Sequence, residues 1–270
     1  MLECLGRRFA VPPDRLAMRV FALSDIYVDY EVNARWVQRL SIVDYRHDLL
    51  ILAGDVTDRL DLLSWSIAEF ARRFRQVLFV PGNHDLWVMR DAPGKTSWEK
   101  FDDVTACVND AGASMRPFEH AGLHVIPLLS WYDYSFGEPD EALQSTWMDF
   151  AACRWPEGIR ANHVSERFAA MNPSEPPSSA KRVVTFSHFL PRIDLMPASA
   201  PGSVRMLFPV FGSTHLDAQL RRLGADTHVY GHSHLNRTKS IDGVTYVNNA
   251  FGYPYEDHIA AKRLVQIVAE

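Results

Sequence analysis

The stretch LLILAGDVTD, residues 49–58, decides how the rest of the chain is read. Leu49 to Ala53 form an unbroken apolar run, short enough for a buried strand and too short for a typical helix. The run stops at Gly54, and two carboxylates, Asp55 and Asp58, follow at once. In an α/β fold the carboxyl ends of the strands gather along one edge, and ligands bind there. A glycine at that point lets the backbone turn sharply enough to aim the next side chain into the edge.

The same grammar recurs. FALSD (21–25) delivers Asp25, VLFVPGNHD (77–85) delivers Asn83, His84 and Asp85, VVTFSH (183–188) delivers His188, and HVYGHSH (228–234) delivers His232 and His234. Each piece alone is weak; their joint occurrence in this order is hard to obtain by chance. Oxygen and nitrogen donors without thiolates suit Mn, Fe, Zn, Co or Ni.

Apolar runs predict strands at Met18–Leu23, Leu49–Ala53, Val77–Val80, Leu123–Leu128, Val183–Phe186, His228–Tyr230, Val244–Val247 and Leu264–Val268. Helical spacing links Val32, Trp36, Leu40 and Val43, then Leu63, Ile67, Phe70 and Phe74. Leu216, Leu220 and Leu223 form a third stripe, closed by Gly224 where a left-handed cap is favoured. Strands alternating with helices define an α/β domain. We expect one domain over residues 18–270, after a proline-containing extension over residues 1–17. The segment NPSEPPSSAK (172–181) reads as a surface loop. The aromatic-rich stretch from Trp131 to Phe168 has no clear period, and part of it is expected over the site.

Composition narrows the function classes. The chain is 47% hydrophobic and 23% charged, ordinary for a globular domain, and its net charge of −5 argues against an extended nucleic-acid surface. Cys4, Cys107 and Cys153 are too few and too scattered for a disulfide framework or a thiolate zinc site. No apolar run approaches the ~18 residues of a membrane span. Arg7-Arg8 is followed by no apolar core of the kind a twin-arginine signal carries. A cytoplasmic location is the expectation; the oligomeric state is left open.

The ordered set, from Asp25 through Gly54-Asp55-Val-Thr-Asp58 and Gly82-Asn83-His84-Asp85 to His188 and Gly231-His232-Ser233-His234, resembles the calcineurin-like metallophosphoesterase superfamily. The resemblance implies a four-layer α/β/β/α sandwich of two mixed sheets flanked by helices. It implies a centre of two divalent or mixed-valence transition metals. One would be held by Asp25, Asp55, His234 and the residue at position 27, the other by Asp55, Asn83, His188 and His232, with Asp55 as the bridge. Two such cations, ~3.5–4 Å apart, clamp a phosphate and activate a hydroxide for in-line attack. His84 would stabilise charge on the phosphate or protonate the leaving oxygen. Asp58 would orient His84 through its other ring nitrogen, and Asp85 would support the ligands from behind.

Most members read Asp-x-His in the first motif; this chain reads Asp25-Ile26-Tyr27. Three readings stand. Tyr27 binds as a phenolate, for which iron(III) is the natural partner; or the first metal is weakly held; or the protein is a non-catalytic relative. Purple acid phosphatases place a tyrosinate on iron(III), but from the second motif, where Asp58 stands here, so that analogy is one of chemistry.

The leading expectation is a hydrolase of phosphomonoesters, phosphodiesters or phosphoanhydrides acting on a small phosphorylated substrate. The rival is a phosphate-binding or regulatory protein with little catalysis. For substrate contacts, Arg192, Arg205 and Arg237 are the candidate phosphate or carboxylate clasps, and Trp131 is a candidate wall.

Overall fold

The structure, a computed structural model, describes residues 18–268. The expected extension over residues 1–17, with Cys4 and Arg7-Arg8, lies outside these residues.

The first sheet contains β1 (Val20–Leu23), β2 (Leu49–Ala53), β3 (Gln76–Val80) and β10 (Val265–Val268). Its order is β10-β1-β2-β3; β10 runs antiparallel to β1 and the other pairs are parallel. The second sheet contains β4 (Phe118–His120), β5 (Leu123–Pro127), β6 (Arg182–Phe186), β7 (Thr227–Tyr230), β8 (Arg237–Ile241) and β9 (Val244–Asn248). Its order is β4-β5-β6-β7-β9-β8, with antiparallel pairing only at β4–β5 and β8–β9.

Period-two alternation within continuous apolar runs explains the layering. Leu49, Ile51 and Ala53 of β2 face the second sheet, in a core shared with Val125, Val184, Phe186 and Val229. Leu50 and Leu52 face the other way, toward helices α1 (Glu31–Arg39), α2 (Leu60–Ala71) and α3 (Ser97–Asp110), meeting Val37, Leu63, Ile67, Phe70, Val104 and Val108. On the far side, Val183, Tyr230, Val244 and Tyr246 pack beneath Leu216 and Leu220 of a further helix, Thr214–Arg222. The result is the four-layer α/β/β/α sandwich. Truncating any one of these leucines to alanine should cost about 2–5 kcal/mol.

Three details differ from expectation. Helix α1 ends at Arg39, and Val32 and Val43 are exposed while Asn33 and Val37 are buried. The buried amide of Asn33 donates to Ile26 O at 2.7 Å, so a polar residue occupies the core-facing position in order to hold the loop after β1. Two strands escape a hydrophobicity reading. β4 is three residues long, and β8 is a polar edge strand, where charged side chains discourage further pairing. β8 and β9 are joined through Asp242-Gly243, both at positive φ, a two-residue hairpin turn of the kind Asp-Gly favours.

Between β5 and β6 lie short helices α4 (Glu141–Thr146), α5 (Asp149–Ala152) and α6 (Ala161–Met171). The aromatic stretch runs through these helices and their connections, with only Phe150 and Phe168 in helix, and residues 172–181 follow as a loop.

Candidate metal centre

The strand ends converge as the sequence grammar requires, but through an unusual backbone. Asp25, Tyr27, Asp55, His232 and His234 all have positive φ, between 43° and 67°. For residues with a Cβ this conformation costs about 1–2 kcal/mol each, and such outliers cluster where surrounding structure holds them for function. The holding is visible. Asp85, fully buried, accepts backbone N–H bonds from Asp55, Val56, Thr57 and Gly82 at 2.8–3.1 Å. Asp25 N donates to Gly54 O and Tyr27 N to Asp55 O, lacing the first two loops together. Gly82 is needed for close approach: a Cβ there would lie 2.1 Å from Asp55 Oδ1.

Asp55 sits at the middle of the donor set. Its Oδ1 is 3.5 Å from His188 Nε2, and its Oδ2 is 2.9 Å from the Tyr27 hydroxyl. On one side, His188 Nε2 lies 3.1 Å from both Asn83 Oδ1 and His232 Nδ1. On the other, the Tyr27 hydroxyl lies 2.9 Å from His234 Nε2, which is 3.4 Å from Asp25 Oδ1. Every residue of both predicted ligand sets is therefore present in one cluster. Donor atoms of Asp55, His188 and His232 fall within 4.8 Å of one another, a spacing that can hold a metal ion.

The electrostatics fit a cation. Burial, and then the charge of Asp25, push the Asp55 carboxyl well above its ordinary range. Asp25 is held at about 2 against its own burial, by the neighbouring charge of His234. Burial also lowers His188 and His232, keeping both imidazoles neutral and able to coordinate. Asp25, Asp55 and these two neutral imidazoles form a donor set suited to a cation. His234, against its own burial, is raised to about 10 by Asp25 and then Glu256, and is protonated in the absence of one. The remaining ring nitrogens are tied from behind, His188 Nδ1 to Ala53 O, His232 Nε2 to Val210 O and His234 Nδ1 to Glu256 Oε2. That support is typical of metal-binding histidines.

His84 faces the centre, with Nε2 3.8 Å from Asp55 Oδ2 and its ring stacked on Trp87 at 3.7 Å. The expected Asp58–His84 hydrogen bond is absent. Asp58 is instead paired with Arg90, whose Nε lies 3.0 Å from Asp58 Oδ2. A guanidinium fork outcompetes a neutral imidazole for a carboxylate. The orientation of His84 comes from Trp87.

A cavity of about 320 Å³ opens over the cluster. It is lined by Tyr27, Asp55, Asn83, His84, His232, Ser233, His234, Tyr253 and Glu256, together with the apolar Trp147, Val204, Leu207, Phe211 and Ile259. Among the described residues, no lysine or arginine lines it. The four residues expected to touch substrate lie elsewhere. Arg192 is bound up with Asp194, Asp217 and Asp242, Arg205 with Ala198 O and Ala200 O, and Arg237 with Leu195 O. Each arginine found a partner within its own neighbourhood. Trp131 is buried in an aromatic cluster with Trp155 and Phe189 and borders a separate cavity of about 700 Å³.

Sequence reasoning missed Trp147, Asp149, Tyr253 and Glu256. Tyr253 stacks on Tyr27 at 4.4 Å, and Glu256 supports His234. Only the turn-forming FGYP (251–254) hinted that the chain returns to the site there.

Comparison with known proteins agrees with this geometry. The family model for calcineurin-like phosphoesterases matches residues 18–236, and the chain belongs to that family. It is a metallophosphoesterase, a phosphoric ester hydrolase. Among characterised relatives, the acyl-carrier-protein phosphodiesterase PptH of Mycobacterium tuberculosis is 28% identical over 262 residues, covering 88% of this chain and 78% of the relative. The crystal structure of phosphopantetheinyl hydrolase PptH from that organism shares the fold with a TM-score of 0.76 and 24% identity, over 94% of this chain and 97% of the other.

Proposed function

We propose that this protein is a metal-dependent phosphodiesterase acting on an ester whose organic arm is uncharged, a phosphopantetheine-type linkage on a carrier protein being the leading candidate. One observation carries the reading: the lining beside the centre includes Trp147, Val204, Leu207, Phe211 and Ile259, and among the described residues no lysine or arginine joins it. A phosphodiester brings a single negative charge, which the centre itself neutralises, and its neutral arm lies against Trp147, Val204, Leu207 and Phe211. A second phosphate or a carboxylate on the arm would find no described lysine or arginine to pair with, and Glu256 would repel it. The resemblance to an acyl-carrier-protein phosphodiesterase supports the same choice.

In this reading Asp25, Tyr27, Asp55 and His234 hold one cation, and Asp55, Asn83, His188 and His232 hold the other. Fe, Mn, Zn, Co and Ni are the candidates, with iron(III) at the Tyr27 side. Two cations supply charge neutralisation for the phosphate oxygens and activation of a water. The chain's own contribution is positional. Asp55 spans both halves of the cluster, and His84, stacked on Trp87 and lowered by burial to about 3, is a neutral imidazole that lines the cavity to hydrogen-bond the phosphate. Asp58 acts at one remove, by anchoring Arg90. A cytoplasmic setting belongs to the reading and is consistent with the free thiols of Cys107 and Cys153.

The test is incubation of the purified chain, supplemented with Mn²⁺ or iron, with aryl phosphodiesters and with a phosphopantetheine-bearing acyl carrier protein. The expected result is aryl alcohol release and a carrier that loses its prosthetic group by mass. Tight binding of a single cation with no turnover on either substrate would replace the reading by a phosphate-binding protein.

A further inference from the structure

Resting on the two-cation reading, we infer that Asp149 is a positioning residue that sets the orientation of Asn83, of His84 and of the cavity wall together. Asp149 opens the short helix α5 and is 2% exposed. Its carboxylate collects three side-chain N–H donors, each at 2.8 Å. Asn83 Nδ2 and Trp87 Nε1 share Oδ1, and Trp147 Nε1 takes Oδ2. Each donor leads to a different part of the site.

The bond to Asn83 decides which end of an amide faces the metal. The oxygen and nitrogen of an asparagine side chain are nearly the same shape, and only the oxygen can ligate a cation. An ionised carboxylate accepts hydrogen bonds and donates none, so Asp149 takes the NH₂ end and turns Oδ1 toward His188 Nε2, 3.1 Å away. The bond to Trp87 fixes the indole on which His84 stacks at 3.7 Å. The bond to Trp147 fixes a ring that lines the cavity and meets His232 edge-on at 5.8 Å. Asp149 touches neither metal nor substrate; it acts through residues that do. It also borders the larger aromatic cavity on its other side, so it forms part of the partition between the two.

Mn²⁺ titration by calorimetry tests this without relying on turnover. Asp149→Leu, similar in size but with no acceptor, should weaken Mn²⁺ binding about 10- to 100-fold, the usual cost of removing a group that orients a metal ligand. Asp149→Asn keeps an oxygen for Asn83 and Trp87 and loses only the acceptor for Trp147. It should restore Mn²⁺ affinity to within about threefold of wild type while raising KM. In an Asn83→Ala background, Asp149→Leu should change Mn²⁺ affinity by less than about threefold, because the effect runs through Asn83. If Asp149→Leu does not fold, Asp149→Ala, which also lacks a side-chain acceptor, is read in its place with the same expectations. The inference is overturned if the acceptor-free variant binds Mn²⁺ like wild type, or if its loss is equally large without Asn83. Failure of the wild-type chain to bind Mn²⁺ at all would instead overturn the two-cation reading beneath it.

Discussion

The Tyr27 hydroxyl donates to Asp55 Oδ2 at 2.9 Å while lying 2.9 Å from His234 Nε2, so the phenol occupies the position between two proposed ligands of the same cation. Burial, and then the charges of Asp55 and Asp25, push its pKa well above the ordinary 10. Protein groups alone therefore keep Tyr27 protonated, and only a strongly charged cation would ionise it. Protein loaded with iron(III) should then absorb in the visible through phenolate charge transfer. Tyr27→Phe should abolish the band, and chelation should bleach the wild type. A colourless iron(III) protein would sink phenolate coordination and leave the phosphodiesterase reading standing.

Asp85 organises the loops without facing the cavity. Asp85→Ala would leave the N–H groups of Asp55, Val56, Thr57 and Gly82 without their acceptor. Each unsatisfied buried donor costs about 1–3 kcal/mol, less than additively. We expect a loss of about 3–5 kcal/mol, read by calorimetry as a melting midpoint lower by roughly 6–15 °C in chelator. A change of under about 1 °C would show that the loops hold themselves.

The apolar wall makes a specificity prediction. Leu207→Arg adds a guanidinium to the apolar part of a cavity that no described lysine or arginine lines. For two aryl diesters that differ only by a terminal carboxylate on the arm, the ratio of kcat/KM should shift about tenfold toward the charged one. An unchanged ratio would mean that the arm does not reach this wall.

His228 gives a pH prediction away from the ligands. It is fully buried, with its ring nitrogens 2.8 Å from Thr185 Oγ1 and 3.1 Å from Ser187 Oγ, and burial lowers its pKa from 6.5 to about 3. Below pH 6.5 the unfolded chain takes up a proton there that the folded chain refuses. Stability contributed by neutral His228 is thus present above 6.5 and declines as pH falls toward 3, by up to about 1.4 kcal/mol per pH unit. Urea midpoints in chelator should fall between pH 7.5 and 4.5, and His228→Gln should flatten that slope by about one proton. An NMR titration placing His228 near 6.5 would contradict this.

How much of this was legible in the sequence depended on how local the cause is. Leu49–Ala53 announces a buried strand because the whole signal lies within it, and the motif after each such run marks where the chain turns. Edge strand β8 was invisible to hydrophobicity because its task is to be polar; Asp242-Gly243 carried the information in a different form, as turn chemistry. The stripe through Val32 held at Trp36 and Leu40, which pack against the core, and missed at its ends, where Val32 and Val43 are exposed and Asn33 turns inward to serve the first loop. Arg192, Arg205 and Arg237 were chosen by charge, and charge alone does not say which carboxylate or carbonyl lies nearest in space. Asp149 and Glu256 have no signature at all, since each gains its role from donors far along the chain.

The donors that converge at Asp55 come from both sheets: Asp25, Asp55 and Asn83 follow strands of the first, and His188, His232 and His234 follow strands of the second. Asp25 and the backbone N–H it accepts from His232 are 207 residues apart. At about 5–20 residues per second of synthesis, roughly 10–40 s separate their emergence from the ribosome. The N-terminal half of the cluster, with Asp25, Tyr27, Asp55, Asn83 and His84, is therefore made before His188, His232 and His234 can join it. On the proposed metal-binding reading, cation uptake would be a late event in the life of the nascent chain, since its donors are complete only once strands of both sheets exist.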